Sequence, residues 1–177
     1  MGYEYRPQRG NNKAKVVTTL LLLAALIALV SSSLVPKYPF ILQCVGLCLL
    51  IPVIQITARF LVVQYLYRLR EREDGVLDFE VFTYRGGARM QLVCRVSLDE
   101  ITGAVPLGEG NRKAPDGICR YTYHPDLRPD KGLVLSVTNY DGDCELLLAP
   151  DAYLTEVFQV LEKVLSPAYI SPTKYYS

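Results

Sequence analysis

Charge is nearly missing from one long stretch of this 177-residue chain, because residues 16–58 hold a single charged side chain, Lys37. Histidine is scarcer still, with His124 alone, and the five cysteines include no C-x-x-C pair. These gaps exclude a good deal. A catalytic triad needs a G-x-S-x-G or catalytic-cysteine context, and structural zinc needs clustered Cys and His ligands. A strong excess of one charge is lacking too, since 19 basic residues face 18 acidic ones. Such a balance suits neither a nucleic-acid binder nor a disordered polyelectrolyte.

What the chain does have is a division into two unlike parts. Residues 16–34 are uncharged; as a helix they rise roughly 28 Å, which matches a hydrocarbon core of about 30 Å. After a short link the uncharged character resumes over residues 39–58, where Gln43, Gln55, Gly46 and Pro52 are tolerable on a face turned to the neighbouring helix. Pro36 and Lys37 mark the turn of a helical hairpin. Arg6, Arg9, Lys13 and Lys15 precede it, and Arg59, Arg68, Arg70 and Arg72 follow it. The positive-inside rule then places both termini in the cytoplasm, with the hairpin in the cell membrane. A competing reading takes residues 1–33 as a cleaved signal peptide with small residues Ser31, Ser32 and Ser33. The length of the apolar run and the second span directly after it weigh against that.

The cysteines fit the same compartment. Cys44 and Cys48, one helical turn apart, read as small residues at a helix contact. Cys94, Cys119 and Cys144 stand 25 residues apart and suggest free buried thiols rather than a disulfide framework.

Beyond residue 59 the period becomes two. Residues 64–72 put Tyr65, Tyr67 and Leu69 on one face and Leu66, Arg68, Arg70 and Arg72 on the other, and Asp74-Gly75 supplies a turn. The run VLDFEVFTY groups Leu77, Phe79 and Val81 against Asp78 and Glu80, and Gly86-Gly87 ends it. A third strand over residues 90–98 completes an antiparallel meander, and a fourth over 101–107 has Ile101, Val105 and Leu107 as its apolar members. Two aperiodic stretches, 108–117 and the mobile loop HPDLRPDKG, separate strands at 118–123, 133–140 and 144–148, with a hairpin turn at Asp141-Gly142. Asp151 then caps a helix in which Leu154, Val157, Phe158, Leu161, Val164 and Leu165 recur at helical spacing, and Pro167 stops it.

Two spans leading into YLYRL, an acidic-Gly turn, GVLDFEVF, the phrase VSLDEITGAVPL and a capped final helix together resemble bacterial membrane proteins with a pleckstrin-homology-like cytoplasmic domain. The resemblance covers residues 16–165. It implies an α+β, mainly β fold in which a split seven-stranded antiparallel barrel is closed by the C-terminal helix, and it imports no active-site residue. The expected organisation is a basic N-terminus (1–15), a transmembrane hairpin (16–58), the pleckstrin-like domain (59–166) and a flexible tail (167–177).

Chemistry finds few candidates. His124 reads as an ordinary loop histidine, and Asp141 and Asp143 as turn residues. The run from Gly108 to Lys113 has glycines and cations without P-loop order. Arg68, Arg70 and Arg72 share a strand face expected just below the bilayer, and with Arg112 and Lys113 they form the candidate contact for anionic lipid or a partner. Against lipid, residues 59–177 carry 14 basic and 17 acidic side chains, a net of −3. The expected function is a membrane-anchored, non-enzymatic interaction or scaffold module without cofactor or metal, which engages a protein partner or its own copies. The alternative is recognition of anionic lipid headgroups.

Overall fold

The computed structural model describes residues 2–35, 37–86, 90–139 and 142–165. Its two long helices are α1 (Lys13–Leu34) and α2 (Pro39–Ile56), and the second continues through a π-helical turn, Thr57–Val62. Both are long and apolar enough to cross a membrane. Only 17% and 11% of their most apolar stretches are buried in the protein, too little for core helices of a water-soluble domain. Ser32 and Ser33 turn their hydroxyls back to donate to the Leu29 and Val30 carbonyls at 2.6 and 2.7 Å, which satisfies them inside the helix.

The helices meet at Gly46, where an added Cβ would lie 2.7 Å from Leu29 Cγ and 3.2 Å from the Ala25 carbonyl oxygen. That close approach is what a small residue permits. Cys44, Cys48 and Gln43, by contrast, lie on the outer surface of α2. Their expected place at the helix contact is therefore corrected: Gly46 and Val53 hold the buried face, and Cys44 and Cys48 flank it by two residues on either side of Gly46.

The expected seven-stranded barrel is not what forms. Among the described residues, eight strands make two separate four-stranded sheets, ordered β1-β2-β3-β4 and β5-β7-β8-β6. The strands are β1 (Tyr3–Tyr5), β2 (Val63–Glu71), β3 (Leu77–Arg85), β4 (Gln91–Ser97), β5 (Ile101–Pro106), β6 (Cys119–Thr122), β7 (Leu133–Asn139) and β8 (Gly142–Leu148). The chain leaves the first sheet through a 3-10 turn, Leu98–Glu100, fixed by a capping box between Ser97 and Glu100. It enters the second without a β4–β5 ladder. Two further features separate the sheets from a simple meander: β1, from ahead of α1, pairs antiparallel with β2, and β6 pairs parallel with β8.

A helix, α3 (Ala152–Leu165), follows. Asp151 caps it, accepting the Leu154 N–H at 2.9 Å. Leu154 and Phe158 enter one core shared by both sheets, where Phe158 meets Phe79 edge-on at 5.2 Å. The alternation read from the sequence gives the core face of β2, with Tyr65, Tyr67 and Leu69 all buried. On β5 it misleads. A register shift between Ile101 and Gly103 changes the phase, so Ala104 is buried while Val105 is 47% exposed. Leu77, at the open end of its strand, is exposed as well.

The loop expected to be mobile, HPDLRPDKG, is anchored instead. His124 and Asp126 are buried, and Asp126 accepts the Gly10 and Asn11 N–H groups at 3.1 and 3.4 Å. Asp74 accepts the Val76 N–H, and Gly75 adopts φ +82°, as the acidic-Gly turn requires. Pro36, Gly87, Asp141, Pro167 and the tail after it lie outside the described residues.

Tyr67 of β2 ties together the chain just past β6 and just past β8 through one hydroxyl. It donates to the Tyr123 carbonyl at 2.9 Å and accepts the Ala149 N–H at 3.1 Å, while burial pushes its ionisation well above the ordinary tyrosine range. Tyr67→Phe leaves a buried N–H and a carbonyl unpaired, so denaturant unfolding of the full chain in detergent should show a loss of about 1–3 kcal/mol. An unchanged midpoint contradicts that role.

Candidate functional site

Strand register decides where the candidate cations go. Along β2 and β3 the pairs run from Val63↔Arg85 at one end to Glu71↔Leu77 at the other, and β4 follows with Thr83↔Gln91 and Asp78↔Ser97. Val63, Arg85 and Gln91 border a cleft with Gln55 and Ile56 of α2, so that end of the sheet adjoins the helix. Arg70 and Arg72 are at the other end, about 23 and 30 Å along the strand from Val63 at roughly 3.3 Å per residue. They are not beside the helix end where the sequence reading put them.

Their partners are acidic. Arg68 pairs with Glu4 of β1 at 2.6 Å, its register neighbour, and its guanidinium lies 4.8 Å from the centre of the Phe82 ring. Arg72 donates to Asp78 at 2.8 and 3.0 Å and to Ser97 at 3.2 Å, with Asp74 at 3.6 Å. Burial alone would raise the Asp78 carboxyl, but the hydrogen bonds from Arg72 and Ser97 outweigh it and hold the group below the usual range. Arg70 borders a hollow shared with Glu71, Glu73, Asp74, Asp78 and Glu80. This end of the first sheet is an ion-pair network with more carboxylates than cations.

Arg112 and Lys113 are elsewhere, exposed on the loop before β6. Their carbonyls accept hydrogen bonds from Arg120, which also pairs with Glu145 at 2.5 Å across the parallel β6–β8 ladder. Neither of them lines the hollow that Arg70 and Arg72 border.

The remaining candidates for chemistry are already engaged. His124 Nδ1 accepts the Asp126 N–H at 3.0 Å and Nε2 donates to the Lys131 carbonyl at 3.0 Å, so the ring is neutral with its proton on Nε2. It positions the loop that grips Gly10 and Asn11. Glu80, 2% exposed, pairs with Arg95 at 2.7 Å. Two of the three cysteines of the sheets, Cys119 and Cys144, are register partners, and Cys94 and Cys144 pack against the same core. Burial raises the thiols of Cys94 and Cys144, which disfavours thiolate chemistry, and Cys119 is exposed rather than buried.

Sequence reasoning missed the end of the domain that adjoins α2. The cleft there, about 710 Å³, has Arg59, Arg85, Gln91 and Tyr65 among its lining residues. A neighbouring cleft of about 520 Å³ shares Val63 and Tyr65 and adds Arg6, Arg9 and Tyr84. Arg6, Arg9 and Arg59 were visible as charges flanking the hairpin; Arg85 gave no signal until the register set it opposite Val63. No protein-family model and no curated protein matches this chain.

Burial lowers the His124 ring from its ordinary value of 6.5 and outweighs the Asp126 charge and the Lys131 hydrogen bond, which pull the other way. Above pH 6.5 the ring is neutral folded or unfolded; as pH falls from there through the folded value, only the unfolded chain gains the proton, so stability is lost. The melting temperature of the full chain in detergent should therefore fall between about pH 7 and about pH 5. His124→Gln should start lower and fall less steeply, whereas parallel profiles contradict a buried neutral ring.

Proposed function

We propose that this protein is a membrane-anchored interaction module that presents its sheet domain at the cytoplasmic face and acts without catalysis. The observation that carries this reading is the open edge of the first sheet. Among the described residues β4 pairs only with β3, and Leu92 and Val93 on it, with Met90 just ahead, are exposed apolar side chains. Tyr121 on β6, the edge of the second sheet, is 52% exposed, and the Tyr123 hydroxyl at the end of β6 reaches the Val93 carbonyl. Two unpaired edges next to each other are a template for an added strand from another protein or a second copy. The pleckstrin-like reading belongs to this proposal, supported by a strand-rich domain that ends in an amphipathic helix; the bacterial reading rests on the resemblance of the sequence alone.

Cytoplasmic placement is supported by the cations at both ends of the hairpin and by the bonds that tie residues ahead of α1 to the domain behind α2. A non-enzymatic role is supported by the engagement of His124, Asp126, Glu80 and Glu145 in folding contacts. Anionic-lipid recognition through Arg68, Arg70, Arg72, Arg112 and Lys113 gains less support, because Arg68 and Arg72 are paired with carboxylates and the five are divided between two places.

A photo-crosslinking residue at Leu92 in the full membrane-inserted chain should give a discrete adduct to one partner or to a second copy. Adding Tyr121→Lys should weaken it by roughly tenfold, the effect of about 1.4 kcal/mol. No adduct, or one indifferent to that change, contradicts docking at this edge.

A further inference from the structure

We propose that the junction between α2 and the sheets is a binding site for the phosphate-bearing headgroup of an anionic phospholipid from the surrounding leaflet. This rests on the reading of α1 and α2 as membrane spans and deepens it by naming what the domain touches there. Three independent features converge on the same place.

The first is position. The two clefts lie where α2 passes through the π-helical turn into β2, so they open at the level where a span of this length meets the headgroups. The second is charge. Arg6, Arg9, Arg59 and Arg85 line the pair of clefts and, among the described residues, no carboxylate does. None of the four makes an ion pair among the described residues. The hollow at the far end of the same sheet has the opposite character, with five carboxylates to three arginines.

The third is how the guanidiniums are held. Arg6 lies 5.5 Å from the centre of the Tyr84 ring and Arg59 the same distance from Phe60. Aromatic contacts fix an arginine through its flat face and leave its N–H edge for a phosphate oxygen. Arg9 donates an Nη2 N–H to the Leu61 carbonyl at 2.7 Å, which satisfies an orphaned carbonyl at the helix end and ties this lining residue of the second cleft to it. Ile56 and Phe60 give the cleft apolar lining from the helix side, where an acyl chain would pass, and Thr83, Gln91 and Tyr123 add polar groups from the sheet side. An amphiphile with an anionic head matches both sides of the cleft.

The test uses the full chain in phosphatidylcholine nanodiscs containing traces of spin-labelled phosphatidylglycerol or spin-labelled phosphatidylcholine, with the motionally restricted fraction read by electron paramagnetic resonance. Phosphatidylglycerol should be preferred, and the preference should weaken with salt. Each basic group near the surface strengthens binding by about fivefold, so Arg59→Gln with Arg85→Gln should abolish most of the preference. Arg59→Lys with Arg85→Lys should keep much of it, and Arg70→Gln should leave it unchanged.

A preference that survives the Gln pair, or is lost equally in Arg70→Gln, overturns the site. Displacement of the labelled lipid by soluble glycerol phosphate, but not by unlabelled phosphatidylglycerol, assigns the cleft to free phosphate and overturns the lipid as ligand. Failure of the chain to enter nanodiscs at all overturns the membrane anchoring itself, a different result from an inserted chain that shows no selectivity.

Discussion

Three residues at the start of the chain constrain everything after them. Tyr3, Glu4 and Tyr5 pair with Leu69, Arg68 and Tyr67, so the segment ahead of the first helix is a strand of the sheet that follows the second. The join is reinforced along its length: Tyr3 donates its hydroxyl to Asp151, Arg9 reaches Leu61, Asp126 holds Gly10, and Lys13 meets Asp130 at 2.7 Å. The Tyr3 hydroxyl is pushed up to about 12, first by that hydrogen bond to Asp151. A chain fastened on both sides of its hairpin cannot leave its first residues across a bilayer from its domain. As membrane spans, the two helices would have to go out and return, with the domain held close to the point where they do.

The outer faces of the sheets follow one electrostatic rule. Glu4 with Arg68, Glu80 with Arg95, and Glu145 with Arg120 are ion pairs between residues directly opposite on adjacent strands. Such pairs allow carboxylates as buried as Glu80 to face away from the apolar core without facing water. The clefts beside α2 depart from this rule, with arginines and, among the described residues, no carboxylate.

How much of this was legible in sequence depends on the range of the interaction. The hairpin, the core face of β2, the Asp74-Gly75 turn and the Asp151-capped helix are set by neighbours within a few residues, and all of them were readable. What was lost depends on register. A three-residue strand such as Tyr3–Tyr5 has too few alternations to announce itself and reads as a basic arm. The bulge in β5 changes which residues face inward without any change of composition. The mobile reading of HPDLRPDKG failed because its partners, Gly10 and Asn11, are more than a hundred residues away. The arginines of β2 looked like one site because alternation puts them on one face; Glu4 and Asp78, which divide them, come from other strands.

The fastening of the N-terminal strand to β2 is open to one direct measurement. With the five native cysteines replaced, Glu4→Cys and Arg68→Cys place thiols on register partners, close enough for a disulfide. Mild oxidation of the membrane-inserted chain should join the peptides that contain positions 4 and 68 within one molecule, as read by mass spectrometry. If no such link forms, and an impermeant maleimide labels the thiol at position 4 from one face of the membrane and the thiol at position 68 only from the other, the account is contradicted.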